Sequence, residues 1–160
     1  MADTPVTIGQ PAPAFALPNQ DEKQVALSDL QGRWVVLYSY PRDDTPGCTK
    51  EACQFTSALN DFAGLDAVVL GVSADSPADH RAFIQKFDLK IDLLSDESTQ
   101  MLASYGLMQE RQRDGKSTVG VARETFIIDP QDNVACHWPD VNPDGHAQIV
   151  RRRLAELAAT

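Results

Sequence analysis

No apolar run in the 160-residue sequence approaches the ~18 residues that a membrane-spanning helix needs. The first residues, Met1-Ala2-Asp3-Thr4-Pro5, lack a basic segment leading into an apolar stretch, so no secretory signal is read there. Positive charge is scarce: fourteen Lys and Arg stand against twenty-three Asp and Glu, a formal charge of −9. A surface of that sign repels phosphate backbones and anionic lipid, which argues against nucleic-acid binding and membrane association. The one basic run, Arg151-Arg152-Arg153, falls in a helically patterned stretch and reads as a solvated face. Cysteine is scarce too. Three cysteines, none in a Cys-x-x-Cys pair, cannot form a disulfide framework. The expectation is a cytoplasmic chain whose cysteines are core residues, metal ligands or redox groups.

Repeats, low-complexity tracts and linkers are also missing. At 42% hydrophobic and 23% charged residues, the chain has the composition of an ordinary folded protein, and 1–160 reads as one domain. Phe15-Ala16-Leu17 and Val25-Ala26-Leu27 flank a polar turn and predict an N-terminal hairpin. The runs at 34–40 and 67–72 are short, apolar and β-branched, as strands of a sheet covered on both faces should be. Phe126-Ile127-Ile128 and Val134 to Trp138 enclose Asp129-Pro130-Gln131-Asp132-Asn133, a second hairpin.

Helices are expected between the strands. One runs from Thr45 to about Phe62 on Phe55, Leu59 and Phe62. Another opens at Ser76-Pro77 and carries Phe83, Ile84 and Phe87. A short one covers Thr99 to Tyr105 and ends at Gly106. The last spans 145–158 with Ile149, Val150, Leu154 and Leu157 as its buried stripe. The order gives an α/β chain with a mixed central sheet flanked by helices, the thioredoxin-like arrangement, preceded by a β-hairpin.

Chemistry is expected where the strand at 34–40 gives way to a helix, because sites in open α/β sheets lie beyond the carboxyl ends of strands. There the chain reads Pro41-Arg42-Asp43-Asp44-Thr45-Pro46-Gly47-Cys48. Thr45 suits the N-cap and Pro46 the first helical position, which puts Cys48 in the first turn. Free N–H groups and the positive end of the helix dipole favour a thiolate there, and the thiolate is the nucleophile. Cys53 is five residues on, either a core residue or a second redox thiol. Five helical residues span ~7.5 Å and end on a different face. A disulfide needs Cα atoms closer than about 6.8 Å, so pairing with Cys48 requires the helix to unwind.

Other assignments compete. Cys48, Cys53, Cys136, His80, His137 and His146 are the soft ligands available to a metal; Cys48 and Cys53 have zinc-ligand spacing, but a helix would hold them apart, and Cys136 and His137 point to opposite faces of one strand. His80 and His146 read more simply as surface groups near helix starts. Arg123 precedes a strand and is either a solvated edge charge or, beside a thiolate, a stabiliser of negative charge.

The pattern Pro41-x-x-x-Thr45-x-x-Cys48 resembles the active-site motif of the peroxiredoxins. With Cys53 five residues later it is similar to the Q-type, the bacterioferritin comigratory proteins. The opening Gly9 to Leu17, Val69 to Ser73, Leu93 to Asp96, Arg123-x-Thr125-Phe126 and Gly145-His146 extend the likeness over most of the chain. The resemblance implies a thiol peroxidase that uses no metal or organic cofactor. It implies Cys48 as the peroxide-reacting cysteine and Cys53 as the resolving one. Thr45 and Arg123 would be the peroxide-binding pair, Pro41 would shield the site and Glu51 would support the arginine. Hydrogen peroxide or an organic hydroperoxide would be the substrate, thioredoxin or a similar dithiol the reductant, and the protein a monomer. Cys136 stands outside the motif and leaves the resolving thiol open. The rival readings are a thioredoxin-like disulfide oxidoreductase and a non-enzymatic holdase.

Overall fold

A computed structural model describes residues 6–159. A small hairpin, β1 (Ala16–Pro18) with β2 (Gln24–Ala26), leads through a 3-10 turn into β3 (Trp34–Ser39). Helices α1 (Pro46–Ser57) and α2 (Leu59–Gly64) then precede β4 (Ala67–Ser73), and α3 (Pro77–Phe87) precedes β5 (Asp92–Ser95). After α4 (Gln100–Ser104) comes a hairpin of β6 (Met108–Arg113) and β7 (Lys116–Val121). Strands β8 (Thr125–Ile128) and β9 (Val134–Trp138) and helix α5 (His146–Ala158) close the chain.

The central sheet has the order β5-β4-β3-β8-β9. Strands β3, β4 and β5 run parallel, whereas β8 is antiparallel to β3 and to β9, so the sheet is mixed as expected. Residue parity sorts the two faces, because alternate side chains on a strand point to opposite sides. Val36, Tyr38, Val69, Leu93 and Ile127 join Phe55, Phe62, Phe83, Val150 and Leu154 in one core under α1, α2, α3 and α5. Val35, Leu37, Leu70, Val72, Leu94, Phe126 and Ile128 form the other with Phe15, Leu27, Leu102 and Tyr105. Coverage on both sides explains why β3 and β4 are apolar throughout rather than alternating.

Close fitting places α1 on the sheet. The Tyr38 ring stacks on Phe55 with centroids 4.7 Å apart. The ring has room only because its strand neighbour is Gly71, where a Cβ would meet Tyr38 Cζ at 2.9 Å and Leu93 Cδ2 at 2.8 Å. Ser76 caps α3, its hydroxyl accepting from the Asp79 amide at 3.1 Å.

Several expectations are corrected. The helix foreseen from Thr45 to Phe62 is two helices, because the backbone turns at Ala58 while the apolar spacing runs on through it. Ile149 is 51% exposed and leaves the buried stripe of α5 to Val150 and Leu154, with half-buried Leu157 at its edge. His80 and His146 are buried, not surface groups. In α5, Arg152 and Arg153 are exposed and Arg151 half-buried. No helix among the described residues is long and apolar enough to cross a membrane.

Candidate active site

Pro41, half-buried, opens the connection from β3 to α1, and Asp44 turns the chain with φ 57°. Thr45 stands at the N-cap of α1 in extended conformation, but its side chain makes no capping bond. The hydroxyl instead donates back to the Arg42 carbonyl at 2.9 Å, a correction to its expected role as a cap. The amides of Gly47 and Cys48, which precede the first helical bond from Thr49 to the Thr45 carbonyl, therefore receive no cap from Thr45. Pro46 takes the first helical position, where its missing N–H costs nothing. Cys48 follows in the first turn, 1% exposed.

Arg123 reaches this thiol from the segment that leads into β8, the strand beside β3. The antiparallel register pairs Tyr38 with Thr125, which sets Arg123 just past the carboxyl end of β3. Its Nη2 lies 3.2 Å from Cys48 Sγ, and its Nη1 donates to Glu51 Oε1 at 2.7 Å. Glu51 sits three residues after Cys48, one turn along α1, so one guanidinium bridges both side chains. Burial alone would lower the arginine's basicity, but Cys48 and Glu51 together raise it above its ordinary value. Burial pushes Glu51 up to about 7, even with Arg123 pulling it down. Gly47 permits the approach: a Cβ there would stand 3.1 Å from Arg123 Nη2.

Cys53 is half-buried on the same unbroken helix, and Cys48, Cys53 and Cys136 are all free thiols. Cys136, on β9, packs against the core under α1 and α5. Its neighbour His137 faces the other way and stacks on Phe126 with ring centroids 4.3 Å apart. Pro41, Thr45, Cys48, Glu51 and Cys53 thus share one loop and helix, and Arg123 joins Cys48 and Glu51 from the sheet.

The AhpC/TSA family matches residues 8–137 of the sequence. The chain belongs to the peroxiredoxins of that family. It is 44% identical over 149 residues to the protein named bcp in Coxiella burnetii, covering 93% of this chain and 99% of that one. Peroxiredoxin Bcp of Bacillus subtilis is 37% identical over 153 residues, 96% of this chain and 98% of that protein. Among solved structures, a Xanthomonas campestris bacterioferritin comigratory protein superposes with a TM-score of 0.90 at 32% identity. That match covers 95% of this chain and 99% of the other, whose structures were described for alkyl peroxide reduction. The thioredoxin-like fold expected from the order of elements is therefore shared with the Q-type peroxiredoxins.

One residue close to this site reads from the sequence as a surface group and is buried instead. His146 accepts or donates at Nε2 with Thr125 Oγ1, 2.8 Å away, and packs edge-on against Phe55 and Trp138. Burial first, and the nearby Arg123 second, lower it from 6.5 to about 4, so the ring is neutral at pH 7. A folded-state value below the unfolded one contributes stability that is lost as pH falls from 6.5 toward 4. The stability advantage of wild type over His146→Asn should therefore shrink across that interval, as measured by denaturant unfolding at several pH values. A constant difference would show that the ring is not held neutral. The signal available in the sequence was Gly145-His146 itself: a histidine directly after a glycine at a helix start.

Proposed function

We propose that this peroxiredoxin reduces hydrogen peroxide and organic hydroperoxides. Cys48 is the attacking thiolate, Cys53 the resolving thiol, and a thioredoxin-type dithiol protein the final reductant. The observation that carries this reading is the 3.2 Å approach of Arg123 Nη2 to Cys48 Sγ in the first turn of α1. A guanidinium 3.2 Å from a sulfur at the amino end of a helix favours its anion and the anion that will leave from it.

In the first step the Cys48 thiolate gives an electron pair to one peroxide oxygen. The S–O bond forms as the O–O bond breaks, and hydroxide or alkoxide leaves and takes up a proton. Arg123 and the first amides of α1 hold the departing oxygen in line. Thr45 has its hydroxyl proton committed to the Arg42 carbonyl, so its lone pairs are oriented to accept from the peroxide O–H. Glu51 keeps the guanidinium in plane with the sulfur through its bond to Nη1. Pro41 keeps water from the loop side.

Next, the Cys53 thiol attacks the Cys48 sulfenic acid, forming a disulfide and releasing water. Helix α1 holds the two too far apart for a bond, so its first turns must open. Opening a short segment costs less than unfolding the domain. Phe55, fully buried on Tyr38, keeps the rest of α1 seated. Dithiol exchange then restores both thiols. With both cysteines on one helix, the cycle needs one chain and runs in a cytoplasmic monomer.

The test is a peroxide-consumption assay with a dithiol donor. Many turnovers per protein are expected; consumption that stops at one equivalent would contradict the cycle. Cys53→Ser should react with its first equivalent at the wild-type rate, then hold a sulfenic acid that excess peroxide carries to sulfinic acid. Sulfenic-acid trapping followed by mass spectrometry reads this directly. Rapid disulfide formation in that variant would assign resolution to Cys136 or to a second chain.

A further inference from the structure

The connection that carries Pro41 and Thr45 is pinned from beneath by a buried polar cluster. Asp43 lies two residues before Thr45 and is buried. Its Oδ1 accepts from Tyr40 Oη at 2.6 Å, and its Oδ2 lies 2.6 Å from His80 Nδ1 on α3. Its amide donates to Asp75 Oδ2 at 2.9 Å, just past β4, where the Ser73 hydroxyl donates as well. The His80 ring is fully buried, and its Nε2 lies 3.0 Å from the Leu94 carbonyl of β5. A carbonyl can only accept, so Nε2 carries a hydrogen, and one proton is held between Nδ1 and the Asp43 carboxylate.

Asp43, Asp75 and His80 offer three ligand atoms within 4.8 Å of one another, which suggests a cation site. The 2.6 Å separation of His80 Nδ1 and Asp43 Oδ2 is a hydrogen bond, with no space for an ion between them. The cluster is a clamp instead. Groups from the ends of β3 and β4, from α3 and from β5 meet at one carboxylate and its ring partner. The next residue, Asp44, adopts φ 57°, and Thr45 returns to an extended backbone before α1 begins. The angle at which the chain enters α1 is therefore set in this one turn, and the buried bonds of Asp43 anchor it. Apolar packing would hold α3 to the sheet as firmly as a buried ionisable pair. What the pair adds is direction.

We propose that His80, acting through Asp43, is a positioning residue for the peroxide step: it fixes the loop that sets Thr45 and the first turn of α1 against Arg123. The inference rests on the reading of Cys48 as the thiol that reacts with peroxide. His80→Asn cannot place donors toward both Asp43 and Leu94, and the loop loses its fixed angle. Misplacement of reacting groups by ~1 Å costs about 10²-fold. Tyr40→Phe removes one donor to Asp43 while keeping the ring, so it tests the same clamp if His80→Asn fails to fold.

Two rates separate positioning from simple stability. One is the reaction of reduced protein with hydrogen peroxide, expressed per titrated Cys48 thiol. The other is alkylation of Cys48 by iodoacetamide, which needs a thiolate but no aligned peroxide. Peroxide reaction should fall about 10–100-fold in His80→Asn, and by less in Tyr40→Phe, with alkylation changed no more than a few-fold. Equal falls in both rates, or an unchanged peroxide rate in folded variants, would overturn the proposal. A wild-type protein that reacts with peroxide no faster than a free thiol would overturn the peroxidase reading, and this inference with it.

Discussion

Cys48→Ser should consume no peroxide above the background reaction of peroxide with the dithiol donor. A serine hydroxyl at neutral pH has almost no anion, and the Arg123 guanidinium beside it only donates. The other two cysteines cannot take over. Cys53 is five residues further along α1, away from the first turn, and Cys136 is half-buried on β9 against the core; among the described residues no guanidinium donates to either. Cys136→Ser should therefore keep nearly the full rate. The measurement is steady-state peroxide loss with each variant at equal protein. Appreciable turnover by Cys48→Ser would place the chemistry elsewhere.

Arg123→Met is expected to slow the peroxide step by about 10²–10³-fold, the cost of removing one preorganised donor from a developing oxyanion. Two losses add. The guanidinium no longer stands 3.2 Å from the sulfur, so negative charge there loses its nearest donor. Charge on the leaving oxygen also goes uncompensated. A third consequence falls on Glu51: its carboxyl is buried, and Arg123 is the partner of Oε1. Without the arginine the carboxylate is left uncompensated and takes up a proton more readily, the direction burial already drives it. Rapid-mixing rates, with thiolate absorbance followed against pH, check both parts. An unchanged rate with an unchanged thiolate fraction would remove Arg123 from the reaction. Arg123→Lys should recover only part of the loss, since an ammonium cannot reach sulfur and Glu51 with two coplanar donors.

The loop that carries Cys48 was legible because its signals are local. A β-branched run ends at Pro41, Thr45-Pro46 opens a helix, and the cysteine falls in the first turn whatever the rest of the chain does. Arg123 was not legible from spacing. Its place beside the sulfur depends on β8 pairing antiparallel with β3 at the register Tyr38 to Thr125, a contact between segments far apart in sequence. His80 and His146 were misread for the same reason. A histidine near a helix start looks solvated until its partners, Asp43 from one loop and Thr125 from a strand, are brought to it. The break at Ala58 was hidden by apolar residues that keep helical spacing on both sides of it. The β6–β7 hairpin escaped notice because Met108 to Val121 is largely polar. Yet Asp114-Gly115, both at positive φ, is the dipeptide that a two-residue hairpin turn requires.

The central claim is that oxidation begins at Cys48 and passes to Cys53 through an opened α1. One equivalent of hydrogen peroxide added to the reduced wild-type protein, followed by alkylation of remaining thiols and peptide mapping, tests it most directly. The account predicts a Cys48–Cys53 disulfide within one chain, Cys136 alkylated, and a loss of helical signal that returns when a dithiol is added. Cys48 linked chiefly to Cys136, or to a second chain, with α1 still fully helical, would contradict it.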